Sequence, residues 1–124
     1  MPSREERLVT AAHVLSGVEG LYMAPEWMLY DLSQLYDVYG DGFEPAIESL
    51  RRAIEDVLAG RVSTSRLKYD LAQVRSYHFQ SVVRQGQRAD MRLAYVPHRD
   101  GIHVIGFGNR HLPDDFYQSI RDRA

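Results

Sequence analysis

Hydrophobic residues recur along this chain with two different periods. Up to about residue 60 they return every three or four positions, the spacing of an amphipathic helix. Leu8, Ala12 and Leu15 form a first stripe behind Ser3-Arg4-Glu5-Glu6, a capping-box pattern, and Gly17 and Gly20 stop the run. Leu8 to Val14 also reads as an alternative opening strand. Pro25-Glu26 opens a second helix with Met28, Leu32, Leu35 and Tyr39 inward, ending at Gly40-Asp41-Gly42. Pro45 starts a third, with Ile47, Leu50, Ile54, Val57 and Leu58 on one face and Gly60 as a left-handed cap. Leu67, Leu71 and Val74 suggest one more short helix over residues 65–74.

Near residue 76 the period drops to two. Tyr77 to Arg84 is rich in aromatic and β-branched residues, with Tyr77, Phe79 and Val83 on one face. Gln85-Gly86-Gln87 is a turn. Ala89 to Val96 alternates as a second strand, and residues 97–101 turn again. Ile102 to Phe107 is nearly all apolar and predicts a central strand. A last helix begins at Pro113-Asp114-Asp115 and ends in Arg121 and Arg123. Short connections favour three sequential antiparallel strands. The expected fold class is α+β. N-terminal helices pack on a C-terminal antiparallel sheet of three to four strands with a short closing helix, all within one domain of residues 1–124.

Charge divides the chain at the same place. Residues 1–60 carry four arginines against eleven acidic residues, a charge of −7. Residues 61–124 carry eleven basic residues against six acidic ones, a charge of +5, and four of the five histidines. Such asymmetry suggests a polyanion-binding surface in the second half, the alternative being that the halves pair with each other. The absence of cysteine excludes disulfides and thiolate zinc sites and fits a reducing cytosol. No apolar run suits a membrane span, and Met1 to Leu8 lacks the apolar centre of a secretory signal.

The basic half supplies candidate chemistry. Arg92 lies on the second strand, Arg110 and His111 follow the third, and Tyr117 is in the last helix. Arg84, Arg88 and Arg99 flank the turns. Guanidinium forks match phosphate oxygens in pairs, so arginines on a sheet suit an RNA backbone. A histidine and a tyrosine hydroxyl then serve to move protons. His98 and His103 flank one hairpin, but the parity of their positions sets them on different sides of the turn, and no metal site is expected.

Arg92-Leu93-Ala94-Tyr95-Val96 resembles the strand pattern of the RelE/ParE family of bacterial toxins, and Gly108-Asn109-Arg110 followed by Phe116-Tyr117 resembles its closing pattern. The resemblance covers roughly residues 66–123. It implies a type II toxin-antitoxin protein of the cytoplasm that cuts mRNA, commonly on the ribosome, by attack of the ribose 2′-hydroxyl on the adjacent phosphate. Arg92 and Arg110 would stabilise the phosphate, with Tyr117 or His111 as acid or base. Arg84, Arg88 and Arg99 would bind RNA, no cofactor would be required, and a cognate antitoxin would be the protein partner. Two departures stand out: Asn109 replaces a common lysine, and a long acidic helical segment precedes the sheet. The alternatives are a ParE-like toxin acting on a protein such as gyrase, and a non-enzymatic interaction module.

Overall fold

A computed structural model describes residues 1–67, 71–111 and 115–124. Helix α1 (Arg4–Ser16) starts at Ser3, whose hydroxyl accepts from the Glu6 N–H at 3.2 Å. Its 3.6-residue stripe buries Ala11 and Leu15, so Leu8 to Val14 is helix and not an opening strand. Helix α2 (Pro25–Tyr39) begins on its proline, whose missing N–H is harmless in the first turn. A 3₁₀ turn at Gly40–Gly42 leads into α3 (Phe43–Leu58). This helix starts two residues before Pro45, because Phe43 is fully buried and anchors the entry. It closes on Gly60 at φ +69°, with Gly60 N–H on Val57 O and Arg61 N–H on Asp56 O, the crossed bonds of a Schellman cap.

Five strands follow the order β1-β5-β4-β3-β2: β1 (Leu21–Tyr22), β2 (Ser65–Arg66), β3 (Arg75–Phe79), β4 (Met91–His98) and β5 (Gly101–Asn109). The three sequential strands β3, β4 and β5 are antiparallel, as the short connections predict. The expected three- to four-stranded, purely antiparallel C-terminal sheet is corrected in two ways. The sheet has five strands, and β1 comes from the N-terminal half and runs parallel to β5. Only two residues of β1 pair, too few to leave a periodic signal.

The expected helix over 65–74 is also corrected. Ser65 and Arg66 pair with Ser76 and Arg75, and Leu67 N–H reaches Val74 O. Residues 68–70 lie outside the described residues, as do Pro113 and Asp114 of the predicted last helix start. Helix α4 spans Phe116–Arg123. Strand β3 stops at Phe79, not Arg84, because side chains capture the backbone beyond it. Gln80 bonds Arg84 N–H, Arg84 O and Gln87 O, while Asp90 takes the Ser81 N–H. Val82 and Val83 are left exposed on that loop.

The sheet carries apolar residues on both faces. On the first face, α1, α2 and α3 pack against Phe79, Met91, Leu93, Tyr95, Ile102, Val104 and Phe107. On the second, Ala94 and Ile105 meet Leu71, Val74, Phe116 and Ile120. A bulge in β5 makes both faces apolar: Ala94 pairs with Gly106 and Tyr95 with Val104, so Ile105 is an extra residue turned to the second face. Among the described residues no helix is long and apolar enough to cross a membrane.

Candidate functional site

Alternation along the strands determines what the second face presents. Met91, Leu93 and Tyr95 of β4 enter the first core, so Arg92 and Ala94 point the other way. Arg92 pairs in register with His78 on β3 and with Gly108 on β5. Helix α4 lies next to Arg92, and the guanidinium carbon sits 4.0 Å from the Phe116 ring centre and 5.5 Å from that of Tyr117. Burial pulls the Arg92 pKa down while the charge and hydrogen bond of Tyr117 oppose that shift.

Beside this pair lies a cavity of about 410 Å³, lined by His78, Arg88, Met91, Arg92, Arg110 and Tyr117. His78 stands exposed on β3, and partial desolvation, then the positive charges of Arg92 and Arg110, holds it below the ordinary histidine pKa of 6.5. Its imidazole is therefore neutral near pH 7. The site combines guanidinium groups for an anion, a neutral imidazole to accept a proton, and a phenol.

The structure brings together Arg88, Arg92, Arg110 and Tyr117 from the residues singled out in the sequence. The others stand elsewhere. His111 is exposed, with its backbone N–H on Asn109 Oδ1, and it does not line the cavity. Arg84 lines an adjoining groove. Arg99 lies in the β4–β5 turn, at the opposite end of the hairpin from Arg92 and Arg110. His98 and His103 share a face with ring centres 5.8 Å apart, contrary to the parity argument, because Val96 pairs with His103. Among the described residues no group of three or more His, Asp or Glu is arranged to hold a metal.

The sequence reading missed His78 as a site residue. Its signal was present: Tyr77 and Phe79 face inward, so His78 must share the outer face with Arg92. Asn109 has a different task from the lysine it replaces. It is buried, and its Nδ2 donates to the Tyr39 hydroxyl at 3.0 Å, which donates to Asp90 Oδ2 at 2.7 Å. Burial, partly opposed by Asn109 and aided by Asp90, pushes the Tyr39 hydroxyl up to about 12. Burial works against the Asp90 carboxylate, yet the hydrogen bonds from Ser81 and Tyr39 hold it below its usual range. Arg110 N–H also bonds Asp90 O at 2.7 Å. One network thus fixes both Arg110 and the end of the loop that carries Arg88.

Helix α4 is held by a second polar cluster that the sequence concealed. Arg123 makes a two-pronged bond to Asp31 of α2, at 2.7 and 2.8 Å, with both side chains 4% exposed. Asp31 also accepts the Phe107 N–H, and Arg123 donates to Ile105 O. The pair therefore satisfies β5 beyond the two residues that β1 covers. Gly106 permits this approach: a Cβ there would lie 2.8 Å from Ile120 Cδ1 and 2.9 Å from an Arg123 nitrogen. Comparison with protein-family models, curated proteins and solved structures finds no match for the chain.

Proposed function

We propose that this protein is a RelE-like endoribonuclease, the toxin of a type II toxin-antitoxin pair. A single observation carries the reading: His78, held neutral, faces the same cavity as Arg92, Arg110 and Tyr117. The RNA phosphate sits against the two guanidinium groups. The ribose O2′ attacks phosphorus as the P–O5′ bond breaks, its proton passes to His78, and the Tyr117 hydroxyl protonates the leaving O5′. The products are a 2′,3′-cyclic phosphate and a 5′-hydroxyl. The nucleophile is tethered to its target, so this route draws on positioning and charge. The role given to His111 in the sequence reading passes to His78, the histidine that lines the cavity. A cytoplasmic antitoxin partner that masks the basic cavity belongs to the same proposal.

The test is cleavage of single-stranded RNA by purified protein, alongside growth arrest on expression. His78→Ala is expected to slow cleavage by about 10²–10⁴-fold, and Arg110→Ala by about 10²–10³-fold. Wild-type rates in both variants would place the chemistry elsewhere. A ParE-like reading, inhibition of a protein such as gyrase, draws support from Asn109 being committed to the Tyr39–Asp90 network. Inhibited supercoiling with intact RNA would select it.

A further inference from the structure

Beside the proposed catalytic cavity runs a second groove of about 530 Å³ between α3 and the loop after β3. The two share His78 and Ala89 in their walls. The groove exists because β2 pairs only with Arg75 and Ser76, leaving the outer edge of β3 without β2 at Tyr77 to Phe79. Its walls carry the groups that single-stranded RNA requires. Tyr77 is half-buried and lies nearly parallel to Phe79, at 16° and 5.9 Å, so its ring is fixed as a platform. Arg52 reaches in from α3 with its side chain 69% exposed, and Glu48, its neighbour at 3.5 Å, is already engaged by Arg51. Arg84 faces it from the loop, its backbone N–H and C=O both bonded to the Gln80 amide. Gln87 adds a side-chain amide able to bond a base edge.

We infer that this groove is a further nucleotide subsite, holding a nucleotide beyond the two that flank the scissile phosphate, with its base on Tyr77 and its phosphate between Arg52 and Arg84. The inference rests on the endoribonuclease reading and adds to it a strand-length requirement. It also gives a residue of the acidic helical half a role in binding RNA. The Tyr77 ring, already stacked on Phe79, needs little further ordering to receive a base.

The experiment uses fluorescently labelled 2′-O-methyl oligouridylates of two and four nucleotides, which lack the attacking hydroxyl. Binding to the full chain is followed by anisotropy against salt. In the wild-type protein the tetranucleotide is expected to bind about tenfold tighter than the dinucleotide, the scale of one stacked base. Arg52→Ala and Tyr77→Leu are each expected to remove most of that gain without changing dinucleotide affinity. Arg52→Ala should also lower the salt slope for the tetranucleotide by about 0.7, one phosphate contact on a single strand. Equal affinities and slopes in wild type and Arg52→Ala, with Arg92→Ala still weakening both lengths, would overturn the subsite and leave the catalytic site standing. If the wild-type protein binds neither length, the endoribonuclease reading fails and the subsite falls with it.

Discussion

His78 draws its character from its neighbours. Partial desolvation and two guanidinium groups disfavour the imidazolium, so the folded value lies below the 6.5 of an unperturbed histidine. The unfolded chain therefore takes up a proton at higher pH than the folded one. The stability His78 contributes is complete above about pH 6.5 and is lost as pH falls through the lowered folded value. Removing one cation tests the cause. In Arg110→Ala the His78 titration followed by NMR is expected to move up toward 6.5 without reaching it, because partial desolvation and Arg92 remain. An unmoved titration would mean that Arg110 does not act on the ring. The resemblance of the closing motif drew attention to position 109, but a lysine there would displace a buried amide that ties Tyr39 to the backbone of His111.

Among the elements, the loop from Gln80 to Asp90 departs furthest from its pattern. Val82 and Val83 have the composition of a strand, and propensity lost to side-chain capture of the backbone. Replacing Asp90 by alanine strips partners from Ser81 and Tyr39, and a loss of about 2 kcal/mol in chemical unfolding is expected. Amides 81–88 should exchange faster in that variant, and RNA affinity should fall with them. Helices α1 to α3 were legible because each pairs a 3.6-residue stripe with a cap or breaker at its ends. Strands β4 and β5 were legible by alternation and apolar content. Strands β1 and β2 were not, since two-residue pairings are set by tertiary position. The cavity was half legible. Arg92, Arg110 and Tyr117 stood out by motif, whereas His78 belongs to no motif and is marked only by its place opposite Tyr77 and Phe79. Arg123 looked like a cation completing a helix dipole, and only the approach of α2 turned it into a buried partner.

At the scale of the molecule, most ion pairs among the described residues lie within the acidic helical half. Arg4, Arg7 and Arg51 pair with Asp37, Glu44 and Glu48 inside the helical layer, and Arg61 pairs locally with Asp56 at the end of α3. Among the described residues the long-range ion pair between halves is Asp31 with Arg123. The arginines of the cavity thus lie on the second face of the sheet, while α1 to α3 cover the first. Burial raises the Asp31 carboxyl, against the pull of Arg123 and Phe107 N–H, so the pair is held by geometry at a cost in desolvation. Asp31→Asn leaves the Arg123 guanidinium buried without its counter-charge. A loss of about 3–5 kcal/mol is expected in chemical denaturation. A change within about 0.5 kcal/mol would show that solvent reaches the pair.

The same pair sets a schedule for synthesis. Asp31 leaves the ribosome 92 residues ahead of Arg123, roughly 5–20 s at ordinary elongation rates. Throughout that interval α2 carries a carboxylate whose partner does not yet exist, and once β5 is made its edge waits for α4. Tyr117 arrives on the same late helix. The cavity therefore gains Tyr117 in the same docking event that gives Asp31 its partner.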